Sequence, residues 1–288
     1  MSGPGRLAVQ WGVVARALLV LVAGYVFADE PKLAVVQAQV HQSEDGPTMP
    51  SDAAFGPGEP VYFNCQVSGF KKNDEDRILL SWAFEARDSR NILLAPPEAG
   101  KISTDLSPED RKWMPKIRAI VSVPPLADSG SYKILVRVTD EQAKSTAEAE
   151  VAFRVESRAV APSDTLVVRD FRFLRTEEDA HPLEVAAYRP GDTVWARFDM
   201  TGYKLGEKNR FDVEYGVKAL RPNGQVTYDQ PHAAEQKEET FYPQRYAPGI
   251  LSLNLPKDLA RGQYTIVLSV RDNLGGQAYE TREKFSVE

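Results

Sequence analysis

The sequence predicts an all-β protein: two tandem antiparallel β-sandwiches that arose by internal duplication, behind an N-terminal signal peptide. Three observations predict it. Apolar residues alternate with polar ones in short runs, the period of half-buried strands. Turn chemistry separates the runs, as in Pro57-Gly58, Pro190-Gly191, Pro222-Asn223-Gly224 and Gly275-Gly276. Finally, the chain aligns with itself at nearly one offset from end to end.

The N-terminus carries Arg6 and Arg16 without an acid, then the apolar run "ALLVLVAGYVFA", then Asp29-Glu30. Basic region, short apolar core and small residues at the cut (Val26, Ala28) are the order of a cleaved secretory signal. The apolar run is about a dozen residues, short of the ~20 a spanning helix needs. Residues 1–28 are therefore expected to be removed, leaving no membrane insertion. The small, Val- and Ala-rich signal points to a bacterial protein, periplasmic or secreted.

The duplication sets the domains. "LAVVQAQV" from Leu33 matches "LVVRDFRF" from Leu166, and the register continues without a gap through Val61/Val194, Gly69/Gly202 and Arg77/Arg210. Later, Gly130, Tyr132, Ile134 and Asp140 meet Gly262, Tyr264, Ile266 and Asp272. The expected layout is a first sandwich over 29–155, a linker over 156–165 and a second sandwich over 166–288. The period is far too long for a solenoid, and the last strand is expected to run to the C-terminus without a third domain.

The strands follow in order. Val61, Phe63, Cys65 and Val67 form one apolar face, matched by Val194, Ala196, Phe198 and Met200. Ile78, Leu80, Trp82 and Phe84 form the next, matched by Phe211, Val213, Tyr215 and Val217. Ala119, Val121 and Val123, then Tyr132, Ile134, Val136 and Val138, complete the first core. Only "LSPEDRKW" carries a helix signal, with Ser107 as cap and Pro108 at the first helical position.

"VYFNCQVSGF", "LLSWAF" and "LADSGSYKI" resemble strand B, the strand C tryptophan and the tyrosine corner of immunoglobulin domains. The resemblance implies an Ig-like sandwich. It extends to the Ig-like repeats of bacterial exported and cell-surface proteins, including adhesion-related modules. Ile134 stands where the family's second cysteine would be, and Phe198 and Ile266 fill the matching places of the second copy. A disulfide-free core is plausible in energy: a buried Phe or Ile contributes roughly 1.5–3 kcal/mol, against roughly 2–4 kcal/mol for the bridge. With one cysteine in the chain, Cys65, no internal disulfide is possible, and its place in an apolar run marks it as a buried small hydrophobe.

Charge and motifs narrow the function. The 288 residues carry a formal net charge of −6 and no Lys/Arg cluster, which argues against a nucleic-acid surface. No nucleophile elbow, zinc-binding helix or phosphate loop occurs. His41, His181 and His232 are scattered, and "NDED" and "TEED" read as solvated turns without a calcium-loop glycine. No catalytic residue, metal ligand or cofactor is assigned.

Aromatic residues give the candidate binding positions. Tyr62 and Trp195 alternate out of phase with the core and are expected on outer faces. Trp113, Phe241, Tyr242 and Tyr246, with Arg245, precede one late strand of each unit. They would offer a platform to a protein or glycan, or else seal the junction between the two sandwiches. The expected function is an exported, non-enzymatic binding or structural module of the cell envelope. It would recognise an unidentified protein or glycan through sandwich edges, loops and outward aromatics. A periplasmic chaperone or assembly factor acting by strand addition is the alternative, and a cryptic hydrolase or metal-dependent enzyme a remote one.

Overall fold

A computed structural model describes residues 32–110 and 112–288. The expected signal peptide, residues 1–28, lies outside the described residues.

Two sandwiches of one topology follow each other. In the first, β1 (Ala34–His41), β3 (Pro60–Ser68) and β6 (Lys116–Ser122) form a three-stranded sheet in the order β1-β3-β6. Facing it are β2 (Ala54–Phe55), β8 (Ser145–Val155), β7 (Gly130–Asp140), β4 (Arg77–Arg87) and β5 (Glu98–Asp105), in the order β2-β8-β7-β4-β5. The second repeats this with β9 (Val167–Leu174), β11 (Thr193–Thr201) and β14 (Tyr246–Asn254). Against them pack β10 (Ala187–Tyr188), β16 (Gln277–Val287), β15 (Gly262–Asp272), β12 (Phe211–Leu220) and β13 (Val226–Glu238). Ladders are antiparallel except for the two-residue pairs β2–β8 and β10–β16. This is an Ig-like sandwich built twice, with its fifth strand hydrogen-bonded to the larger sheet.

The inward faces are those the alternation marks. Val61, Cys65, Val67, Ile78, Leu80, Ile134 and Val138 are fully buried in the first core, and Val194, Ala196, Met200, Phe211, Val213 and Ile266 in the second. Each core closes on its own cluster. Cys65 is a free buried thiol, and desolvation pushes its pKa up to about 12. Trp82 departs from the strand C tryptophan. It sits only half-buried, its indole spread over Gly100 on the paired edge strand β5, where a side chain would clash.

Two devices recur at matched positions. The Tyr132 hydroxyl donates to the Asp128 carbonyl at 2.8 Å, and Tyr264 donates to Ala260 at 2.7 Å, so both tyrosine corners form. At the opposite end, Asp140 is buried and accepts backbone N–H groups from Lys71, Gln142 and Ala143 at 2.6, 2.8 and 3.0 Å. Asp272 does the same for Lys204, Leu274 and Gly275 at 2.9, 3.0 and 2.8 Å. Each carboxylate thereby ties its own hairpin to the loop after the second long strand. That loop begins at Gly69 or Gly202, both at positive φ, where a Cβ would meet the carbonyl of Lys32 or Thr165 at 2.2 or 2.0 Å. Only glycine passes. The helix signal at Ser107 resolves to a 3-10 turn, Pro108–Asp110, with the Ser107 hydroxyl and amide donating to Asp110.

Removing a buried carboxylate that gathers three part-buried N–H groups costs those bonds, so Asp140→Ala or Asp272→Ala is expected to lower unfolding free energy in urea by about 2–4 kcal/mol. Asn at either place should cost less, because its side-chain oxygen keeps part of the set. In native protein Cys65 is expected to resist a thiol reagent and to react as the chain's one thiol in denaturant.

Candidate binding surfaces

The connection from β13 to β14 exposes Phe241 and then turns inward. Tyr242 leaves its own sandwich and packs into the core cluster of the first. Its hydroxyl donates to Asp88 Oδ2 at 2.9 Å, while Asp88 Oδ1 accepts the backbone N–H groups of Arg90 and Ile92 at 2.9 and 2.7 Å. Burial raises the Tyr242 pKa, and the Asp88 charge adds to the rise. Next to this contact, Asp128 pairs with Arg90 at 2.9 Å and faces Arg245 Nε at 3.8 Å. Arg245 Nε is buried and makes no hydrogen bond.

The linker is pinned from the other side. Arg158 makes a two-pronged pair with buried Asp199, one arm at 2.6 Å, and reaches Asp170 at 3.3 Å. Its guanidinium lies over the Tyr246 ring at 5.5 Å. Hydrogen bonding to Asp199 raises the Arg158 pKa. Backbone oxygens of the same connection are held as well: Tyr203 donates to Gln244 at 2.9 Å and Thr201 to Arg245 at 3.1 Å.

These contacts correct the platform expectation for two residues. Tyr242 and Tyr246 are buried, because the end of the second sandwich that carries them abuts the first sandwich and its linker. Arg245 is drawn into the same junction. The corresponding connection of the first sandwich, between β5 and β6, has no sandwich docked on it, and its Trp113 is exposed. Tyr62 and Trp195 lie on the outer faces of the three-stranded sheets, each half-buried. Tyr62 stands between His41 and exposed Ile120 on the neighbouring strands, and Trp195 between Leu174 and Ser252. The candidate aromatics thus fall in separate places rather than on one surface.

A feature the sequence reading passed over lies at the free side of the first sandwich. Strand β8 pairs with β7 along its whole length; among the described residues its other edge carries no backbone ladder beyond Ala54 and Phe55, and β1 of the facing sheet packs close beside it. The Glu156 amide bonds to Phe55, so by strand alternation the backbone groups of Thr146, Glu148, Glu150 and Ala152 point to that same, bare edge. Beneath the edge, a cavity of about 250 Å³ opens between β1 and β8, lined by Val40, Met49, Val151 and Phe153 and by polar Gln39, Thr48 and Arg154 among others. The inward row of β8 is Ala147, Ala149, Val151 and Phe153, all packed against the core. On β16 the same row reads Tyr279, Thr281, Glu283 and Phe285, with Thr281 donating to Glu283 at 2.9 Å. Comparing the two copies at this row would have exposed the difference from sequence alone.

No family model matches the chain, and no curated protein matches it significantly. Among solved structures, the C-terminal domain of the Streptococcus agalactiae antigen I/II polypeptide BspA shares 11% identity, covering 89% of this chain and 99% of that one, with a TM-score of 0.28. The C-terminal domain of the Streptococcus pyogenes antigen I/II-family protein AspA shares 10%, covering 90% and 100%, with a TM-score of 0.31. A family 123 glycoside hydrolase from Clostridium perfringens shares 14% over 43% of this chain and 27% of its own, with a TM-score of 0.30.

Tyr242→Phe deletes one hydrogen bond to a carboxylate, worth roughly 1.5–3 kcal/mol. The expected result is a broader pair-distance distribution in small-angle scattering, with each sandwich still unfolding cooperatively. An unchanged distribution would show that the junction does not rely on this contact.

Proposed function

We propose that the protein is an exported, non-enzymatic binding module of the cell envelope, made of two Ig-like sandwiches held as a unit by the Tyr242–Asp88 junction. The observation that carries this reading is the edge of β8, free of a backbone ladder beyond β2, above a partly apolar cleft. Backbone groups at a sheet edge keep unmet hydrogen-bonding capacity, and apolar surface beside them adds a driving force for association. The order of charge and hydropathy over residues 1–28 supports export. No helix among the described residues is long and apolar enough to cross a membrane. The partner is a protein or a glycan of the envelope, and the junction gives the second sandwich a defined bearing on whatever the first one holds.

The strand-addition reading, in which the protein escorts clients as a chaperone or assembly factor, uses the same edge. It differs in requiring release of the bound client.

Residues 29–288 immobilised on a support are expected to retain envelope protein or glycan saturably, and to release it unchanged in mass. Absence of saturable retention would contradict the binding role. Release of a shortened or modified product would contradict the non-enzymatic one.

A further inference from the structure

The free edge of β8 is specific about what can lie on it. Three other edges are blunted. Edge strand β13 carries Pro231, and its ladder to β12 shifts register twice, which spoils continuous pairing. Strand β6 exposes Lys116 and Arg118, both drawn to Asp45. Strand β16 turns Glu283 inward at its bare edge, an inward charge of the kind that discourages strand addition. Strand β8 puts Val151 at that place, since Ile134 faces Val151 just as Ile266 faces Glu283.

The outward row of β8 is acidic: Glu148 and Glu150 are exposed, paired only with surface Arg137 and Lys133. A second copy is a poor occupant. In the antiparallel registers that use the whole bare stretch, β8 against β8 sets Glu148 opposite Glu150, or Glu150 opposite itself, and like charges directly opposite oppose pairing.

We infer that the β8 edge of the first sandwich accepts an extended strand of another protein, with apolar side chains entering the cleft and basic side chains lying outward beside Glu148 and Glu150. The incoming backbone pairs with Thr146, Glu148, Glu150 and Ala152. Its inward residues meet Val151 and Phe153 and fill the cavity over Val40 and Met49. The strand ends where β2 already occupies Arg154 and Val155. This rests on the binding role proposed above and names the partner's chemistry at that site.

The test uses residues 29–288 and blocked octapeptides, one alternating lysine with valine and one alternating glutamate with valine, in titration calorimetry. The lysine–valine peptide is expected to bind at one site, at least ~10-fold more tightly than the glutamate–valine peptide, because one row is charge-matched and the other repelled. Ala152→Pro removes an edge N–H without touching the β7 ladder, and Val151→Glu imports the guard of the second sandwich. Each is expected to weaken binding at least ~10-fold. Glu148→Lys with Glu150→Lys changes only exposed side chains and is expected to reverse the preference between the peptides, so this arm stands even where a β8 variant loses its fold. No binding of the lysine–valine peptide, equal binding of both peptides, or a preference that survives the charge reversal would overturn the inference. Envelope capture that persists while neither peptide binds would overturn it alone and leave the broader role standing. Loss of both would overturn both.

Discussion

In each sandwich one buried carboxylate holds an end of the barrel-like core shut. Asp140 and Asp272 collect three backbone N–H groups each, from two separate loops. With neighbouring bonds such as Gln142 to the Arg77 carbonyl and Asn273 to Asp212, they make these loops part of the folded body, since a buried charge is tolerable only when it is fully hydrogen-bonded. The end closed by Asp272 is the end of the second sandwich that lies toward the first. The end closed by Asp140 has no second sandwich against it among the described residues and presents Trp113. The same construction therefore makes a docking face in one copy and an outer tip in the other.

Much of the fold was legible in the sequence because packing follows alternation. The inward rows, the tyrosine corners and the absence of a disulfide all appear where period and duplication put them. Trp82 was legible in part: it packs against the first core as its phase says, but stays half-buried because its neighbour across the ladder is Gly100 on the edge strand β5. The junction was half legible. The aromatic cluster of residues 241–246 stood out, yet alternation says nothing of which body a loop residue packs against. Asp140 and Asp272 were visible as a matched pair, while their role depends on loops distant in sequence.

Where the copies agree, they describe the sandwich; where they diverge, they describe what each sandwich meets. Asp88 and Asp128, which receive Tyr242 and Arg245, are replaced in the second copy by Arg221 and Ala260, as the strand registers place them. The socket exists once, so the stack of sandwiches within the chain has a defined order. The exchange of Val151 for Glu283 likewise leaves one strand edge open and closes the other. A duplicated fold gives each site its own internal control, because the unaltered copy shows what packing alone requires.

The open edge can be read amide by amide through native-state hydrogen exchange. An edge strand paired on one side alone should alternate along β8. The amides of Thr146, Glu148, Glu150 and Ala152 are expected to exchange fast, and those of Ala147, Ala149, Val151 and Phe153 to be protected by the β7 ladder. Uniform protection along residues 146–153 would mean that this edge is already covered, and would contradict a binding site there.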